Sequence, residues 1–509
     1  MGTYLLRRLF LLIPTVIGMT FLIFMLIASS KGGIGAAIAF SSGAGQAKGE
    51  SAALQRARLE DRYGLDSPVV VQYGRWIGRV SPVKFGTRDQ VSPAGERFRE
   101  PRSMKDPPLW EWFVDALPEP DAPKELPGKD AEEQVKRDAY RQASNDFAAA
   151  RVDHVRARTE FELAAGTLLR ETGHKDAVES DGTVILGLAK RIEPDKSHAL
   201  WADVEQKAKV MLDTYKATIS NKATLDASFA TKPFPESGWG LIPGVLWLDA
   251  PDLGYSYSRS TPVINEIAKA LPYTLMLNLA AFPIIYLIAV PSGILSATHR
   301  GSWIDVTSGS LFVALWSIPV VWAGVLAIGF LANDKYLGMF PVSGLNDNEA
   351  SNFLMLPSWG EDGFQRGYLL DTLWHLCLPV ACIVYGGFAI LSKQTRAAML
   401  ENFTMDYVRT AKAKGVDGGS IVMRHVFRNS LLPIITMFVT VFPATLAGSV
   451  VIERIFSIPG MGSMIIDAIF LRDTEILLSN SLIIGIVNVV ALLLADILYA
   501  MADPRITYK

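Results

Sequence analysis

Residues 272–297 read PYTLMLNLAAFPIIYLIAVPSGILSA, twenty-six positions without one charged side chain. As a helix rising 1.5 Å per residue the stretch is about 39 Å long, against a hydrocarbon core of about 30 Å. Five further stretches have this character: Leu9–Ala28, Ile304–Ala332, Leu373–Ser392, Leu431–Val451 and Ser481–Met501. Ile304–Ala332, the third in chain order, carries only Asp305 and Ser481–Met501 only Asp496, each near an end. Ionisable groups are costly in lipid, so their scarcity marks spans rather than buried helices of a large soluble protein. The pattern predicts an all-α integral membrane protein with about six transmembrane helices. The first run follows Arg7 and Arg8 as a signal peptide would, but it exceeds a signal h-region in length, so a retained helix is expected.

The apolar residues are clustered, so the mean hydropathy of +0.24 understates them. A net charge of −2 and the absence of a basic block give no sign of a nucleic-acid partner, and none is expected. The two cysteines, Cys377 and Cys382, lie five apart in one apolar run and point in different directions on a helix. They read as buried small hydrophobes rather than a disulfide or metal site.

Basic residues set orientation. Arg7 and Arg8, His299 and Arg300, the cluster Lys393 to Arg428, and Arg505 and Lys509 all fall on one side of a six-span chain. That predicts both termini in the cytoplasm and a long extracytoplasmic segment between the first two spans. Within it, the Gly/Ala/Ser-rich 31–50 reads as a flexible linker or a mobile helix start, and 54–80 as a helix, a turn at Gly64 and a second helix. Residues 82–127 are rich in proline and charge and exclude long regular elements. Residues 131–171 and 198–218 consist of good helix formers and predict a hairpin turning near 173–182. The expected organisation is a first span at 1–30, a connecting segment at 31–81, a largely helical insertion at 82–245 and a five-helix core at 246–509. The insertion is read either as a solvated elaboration or as a docking surface for an external partner.

Residues 393–433, KQTRAAMLENFTMDYVRTAKAKGVDGGSIVMRHVFRNSLLP, carry the function. A helix continues out of the fourth span and breaks at Gly415. Asp417 or Ser420 caps a second short helix, which ends before Pro433 opens the fifth span. A helix–Gly–helix elbow with basic flanks makes a compact knob able to enter a groove on another protein.

The runs Tyr407-Val408-Arg409-Thr410-Ala411-Lys412-Ala413-Lys414-Gly415 and Arg424-His425-Val426-Phe427-Arg428-Asn429-Ser430-Leu431-Leu432-Pro433 resemble the EAA loop of ABC importer permeases, in the form used by the dipeptide and oligopeptide (B-type) branch. Arg409-Thr410-Ala411 stands in the Glu-Ala-Ala position. Further landmarks occur in order: Arg62 to Asp66 with Val71-Gln72-Tyr73, Asp252 to Ser256, Leu271 to Leu275, Arg300 to Asp305, Ser317-Ile318-Pro319, Phe456 to Gly462 and Ala502 to Ile506. The resemblance covers residues 1–80 and 250–509 and leaves out about 82–245, where the family has a short connection. It implies a type I ABC importer permease in a bacterial inner membrane, multi-pass, that forms half of a peptide path.

The implied partners are a second homologous permease, two ATPase subunits, an extracytoplasmic substrate-binding protein and membrane lipid. The coupling loop 393–432 would dock on the ATPase through Asp406, Arg409, Thr410, Ala411, Lys412, Gly415, Arg424, His425 and Arg428. The stretch 453–473 is expected as an outer re-entrant or loop segment, with Glu453, Arg454, Pro459, Gly460 and Met461 as contacts for substrate or binding protein. Glu453 and Arg454 are expected to pair or to line an outer vestibule.

No GxxxxGK[ST] loop, HExxH or nucleophile–base arrangement occurs in the sequence. No enzyme activity and no cofactor are therefore expected in this chain, with ATP and Mg belonging to partner subunits. His375 reads as an interface or pore-wall residue. The same architecture could carry nickel or a modified peptide, and a membrane scaffold or sensor is the other reading; the loop motif favours import.

Overall fold

The structure, a computed structural model, describes residues 2–29, 67–93, 96–128, 131–178, 184–242, 245–256, 258–360 and 363–502. The expected linker at 31–50, the helix starting at 54, the turn at Gly64, the motif at 62–66, Gly182 and the tail from 503 lie outside these residues. The chain divides into two compact units, Met1–Ile27 with Leu253–Lys509, and Ala28–Asp252.

The first unit opens with helix α1 (Gly2–Ala28). The second unit contains α2 (Val69–Val80), α3 (Glu133–Glu171) and α4 (Trp201–Ala230). It also contains strands β1 (Val83–Phe85), β2 (Gln90–Val91), β3 (Arg97–Phe98), β4 (Trp239–Ile242) and β5 (Leu246–Leu248). Strands β1, β5 and β4 form an antiparallel sheet in that order, and β2 pairs with β3. These short strands are the one departure from an all-helical expectation here. Of these, β1, β2 and β3 lie in the stretch where proline and charge had excluded long elements.

Helices α3 and α4 are an antiparallel hairpin. Tyr140, Ala143, Phe147, His154, Ala157, Phe161, Ala164 and Leu168 follow a three–four spacing along α3, and all but the half-buried Phe147 are buried. Val204, Ala208, Met211, Tyr215, Thr218, Leu225 and Phe229 do the same on α4. That spacing keeps one stripe facing the partner helix. Across the seam the Thr218 hydroxyl donates to the Ala150 carbonyl at 3.0 Å. The turn is longer than expected and holds a 3₁₀ turn at Lys175–Ala177 and a short helix at Leu186–Ala189.

His154 occupies a core position of this seam, 2 % exposed, with its ring 5.5 Å from that of Tyr215. Burial, reinforced by Arg151 and Arg158, pushes its imidazole down to about 3. The unfolded chain takes up this proton near pH 6.5 and the folded chain only near 3. Stability is therefore complete above 6.5 and falls as acid is added, by up to about 2 kcal/mol between pH 6.5 and 5. Thermal melts of the full chain should show this slope, and His154→Gln should flatten it; equal slopes would exclude His154 as the source.

The first unit continues with α5 (Val263–Thr298), α6 (Trp303–Trp316), α7 (Val320–Leu326), α8 (Gly367–Phe403), α9 (Asp406–Ala413), α10 (Arg428–Ile455), α11 (Met461–Phe470) and α12 (Thr474–Ala502). Small β-ladders join β6 (Tyr255–Ser256) to β7 (Thr261–Pro262) and β8 (Ser358–Gly360) to β9 (Gly363–Gln365). Among the described residues three helices are long and apolar enough to cross a membrane: Val263–Thr298, Gly367–Phe403 and Thr474–Tyr499. A fourth span arises when the bent pair Trp303–Trp316 and Val320–Ala332 is taken as one. Helices α1 and α10 are 27 and 28 residues long.

Two expectations change here. The third stretch is not one helix but turns by 88° between α6 and α7. Pro319 has no N–H and disfavours helical geometry at Ile318, so the helix stops. The Tyr385 hydroxyl donates to the freed Ile318 carbonyl at 2.8 Å. Conversely Pro433 does not open a span. It lies within α10, which runs without a break from a π-helical turn at Ile421–Phe427.

Helix α5 packs along α8 through small residues. A Cβ at Gly293 would stand 2.6 Å from the Thr395 Cβ, and one at Gly387 2.7 Å from the Ile285 Cδ1. Such close approach is how helices associate where no hydrophobic force acts between them. Cys382 is buried as expected, whereas Cys377 is exposed with its thiol toward the Leu373 carbonyl. His375 is buried against Asp371 on its own helix, with Nδ1 2.9 Å from the Asp371 carbonyl oxygen, and so does not present itself at an interface.

Candidate functional site

The loop 393–432 forms an elbow with a core of its own. Helix α8 extends three turns past its apolar part, and Thr404 and Met405 turn the chain into α9. Gly415 then adopts φ +73°, a left-handed geometry that reverses direction and that a side chain resists. Asp417 caps the next turn, accepting from the Gly419 and Ser420 amides at 3.0 and 3.2 Å. Under the elbow Met399, Val408, Ala411, Ile421 and Val426 are buried together with Ala297 of α5. Asn402 ties the two arms: its Nδ2 donates to the Ala398 carbonyl and to the Ser430 hydroxyl, and its Oδ1 accepts from the Tyr407 hydroxyl at 2.6 Å.

The expected contact residues divide accordingly. Asp406, Arg409, Thr410, Lys412, Gly415, Arg424 and Arg428 are exposed, and His425 is half-buried. Ala411 is buried and faces inward, so it seats α9 on the elbow core instead of meeting a partner. Asn402 and Ser430, not among the expected contact residues, brace the elbow. Met405 and Met423 add exposed apolar surface to it.

Where α5 turns into α6, Asp305 accepts a bidentate pair of bonds from Arg396 of α8, at 2.6 and 2.7 Å, and also bonds to Ser296 and to the Gly301 amide. This clamp joins α5, α6 and the root of the elbow. Removing Asp305 leaves a partly buried guanidinium and a buried hydroxyl unanswered. Asp305→Ala should lower stability by about 2 kcal/mol, and Arg396→Lys should recover only part of the coupling because an ammonium cannot form the planar fork. A double-mutant cycle on melting in detergent measures this; additive effects would dissolve the clamp.

At the other end of α10 the stretch from 453, expected as a re-entrant or loop segment, comprises the last turn of α10, a bend and α11. Glu453 neither pairs with Arg454 nor lines a vestibule. It is fully buried and accepts from the Thr274 hydroxyl at 2.7 Å and from the Gly462 and Ser463 amides at 2.7 and 3.0 Å. Those amides are the unsatisfied donors at the start of α11, so the carboxylate fixes that helix to α5 and α10. Gly460 and Met461 are buried with it. A Cβ at Gly460 would fall 2.4 Å from the Glu453 carboxyl carbon. Arg454 and Pro459 are exposed, and Arg454 pairs with Asp467 at 2.9 Å. Among the described residues no group of His, Cys, Asp or Glu could hold a metal.

The elbow, with a core of its own, stands between two long helices, α8 and α10. Residues 289–508 match the family model of the binding-protein-dependent transport system inner membrane component. The inner membrane ABC transporter permease protein YejB of Escherichia coli O157:H7 is 36 % identical over 259 residues, 51 % of this chain and 68 % of that protein. The oligopeptide transport system permease protein AppB of Bacillus subtilis is 38 % identical, covering 50 % and 76 %. The dipeptide transport system permease protein DppB of Escherichia coli K12 is 32 % identical, covering 53 % and 79 %. The chain belongs to this family of ABC importer permeases.

Proposed function

We propose that this chain forms half of the translocation path of an ATP-driven importer of di- and oligopeptides. The chain crosses the membrane six times, through the three full helices, the bent pair, α1 and α10. Both termini are cytoplasmic, and the insertion at 82–245 is extracytoplasmic. Two separate ATPase subunits bind ATP and Mg, a second homologous permease completes the path, and a binding protein delivers substrate outside. The names of the similar permeases support the peptide substrate.

The observation that carries this reading is the elbow. A partner pushing on it needs a rigid element, since a ligand shifts a conformational equilibrium only through different affinity for its states. The buried core beneath Val408 and Ala411 and the Asn402 brace supply rigidity. Asp406, Arg409, Thr410, Lys412, Arg424 and Arg428 supply the outward face, with Met405 and Met423 as apolar anchors. Outside, Arg454 and Pro459 remain the candidates for contact with the binding protein, whereas Glu453, Gly460 and Met461 serve the fold.

Detergent extracts of the tagged chain should retain ATPase chains in fixed ratio, and Arg409→Glu with Lys412→Glu should release them while the chain stays in the membrane. Labelling of a Lys412→Cys variant by an impermeant thiol reagent added outside intact cells would overturn the orientation and the importer reading with it.

A further inference from the structure

A groove between α6 and α8 is charged at one end and uncharged along its length. Its volume is about 780 Å³. The lining residues of α6 recur at three- and four-residue steps from Asp305 to Ala314, which is one face of a helix. Val306, Val313 and Ala314 are exposed there, and a Cβ added at Gly309 would meet nothing within 4 Å, so this wall is open. Lys393 and Arg396 of α8 stand at the charged end beside Asp305. Arg396 gives Nε and Nη2 to the Asp305 carboxylate, which leaves Nη1 unengaged. Lys393 is exposed and makes no ion pair or hydrogen bond among the described residues. Arg396 and Asp305 cancel, so the charge of Lys393 is left without an answer.

The level of this charge along the helices decides what answers it. The apolar run of α8 ends at Ser392, directly before Lys393. Asp305 meets Arg396, and seven residues on the Phe312 ring meets that of Phe388 at 5.1 Å, so α6 runs antiparallel along α8. Trp303, at the start of α6, is 76 % exposed. Basic residues at the end of an apolar run and exposed tryptophans are the side chains that sit at headgroup level. From Asp305 to Ala314 the helix rises about 13 Å, close to the roughly 15 Å of hydrocarbon in one leaflet. The groove therefore presents an ammonium and a free guanidinium nitrogen at headgroup height, with an uncharged trough one leaflet deep beside them. A phospholipid fills both parts at once, and basic pockets between transmembrane helices take anionic headgroups. A protein helix filling the trough would have to bring an acid to the same level.

We infer that this groove binds one anionic phospholipid, its phosphate on Lys393 and Nη1 of Arg396 and an acyl chain along Val306, Gly309 and Val313. This rests on the crossing of the bilayer by α6 and α8 proposed above, and on neither the orientation nor the substrate. The test is native mass spectrometry of the full chain, extracted with the subunits that accompany it into micelles holding equal phosphatidylglycerol and phosphatidylethanolamine. One phosphatidylglycerol should be retained several-fold more often than phosphatidylethanolamine. Lys393→Gln should weaken that retention about fivefold, the contribution of one lysine near an anionic headgroup. Gly309→Phe, which fills the trough and leaves the charges, should weaken it at least as much. Ser310→Trp, at an exposed position on the same wall, replaces it if the phenylalanine variant does not reach the membrane. Lys335→Gln, at an exposed lysine elsewhere, should change nothing.

Equal retention of the two lipids, or retention untouched by Lys393→Gln, would overturn the inference. Loss with the glutamine but not with the filled trough would overturn it too, leaving a surface charge contact without a groove. A photoreactive benzophenone on Val313→Cys, in a Cys377→Ala, Cys382→Ala background, should join to lipid in native membranes. A protein adduct there would overturn the inference in favour of a neighbouring subunit. A water-soluble maleimide on the same cysteine, in opened membranes, reads the span separately. Labelling rejects the crossing of the bilayer by α6 itself, whereas an unlabelled cysteine with no retained lipid rejects only the lipid site.

Discussion

Valine at position 415 is expected to cut peptide uptake about tenfold or more while the protein remains in the membrane at its normal level. Gly415 holds φ +73°, and a Cβ there would meet nothing within 4 Å. The penalty is therefore purely conformational. A left-handed backbone costs an L-residue about 1–2 kcal/mol, and a β-branched one more. The chain can escape only by moving α9 relative to the Asp417 cap, which displaces the outward face carrying Arg409 and Lys412. About 1.4 kcal/mol lost at the docking surface is a factor of ten in partner affinity. Asparagine tolerates the left-handed region, so Gly415→Asn should keep most of the activity. Uptake and ATPase retention measured together for the two variants check this. A valine variant with normal uptake would remove the elbow from the mechanism.

Leucine in place of Glu453 should be more damaging still, because it acts on the fold. The carboxylate answers two backbone amides and one hydroxyl in a fully buried site. Each donor left without a partner costs about 1–3 kcal/mol, so the loss should exceed about 3 kcal/mol and be seen as reduced yield and a lower melting temperature in detergent. Glu453→Gln should be milder. Its carbonyl can face the Gly462 and Ser463 amides, and its NH₂ can donate to the Thr274 hydroxyl oxygen, which already accepts from the Met461 amide at 2.8 Å. If glutamine and leucine behave alike, the hydrogen-bonded cradle is not what holds α11.

The elbow and the long apolar helices were readable because both are local. Absence of charge over twenty residues and a glycine between two helix-forming segments depend on neighbours in sequence alone. The hairpin of α3 and α4 was readable in part, from helix-forming composition. The burial of His154 was also available, since it continues the three–four spacing of Tyr140, Ala143 and Phe161. The role of Glu453 was not. An acid at the end of an apolar run reads as a mouth residue until the chain folds back and brings the start of α11 against it. Ala411 was misplaced for a related reason, because motif position does not say which side of an elbow faces inward.

The sequence alone determined that this is a helical membrane protein with a glycine-bent elbow, since the bilayer demands uncharged runs of fixed length and the elbow needs a glycine at its bend. Tertiary structure decided which groups face one another: Asp305 with Arg396, Glu453 with the start of α11, and Ala411 with the elbow core. Such pairs join residues far apart in the chain, and only packing in three dimensions determines whether a side chain finds a partner inside or is left for one outside.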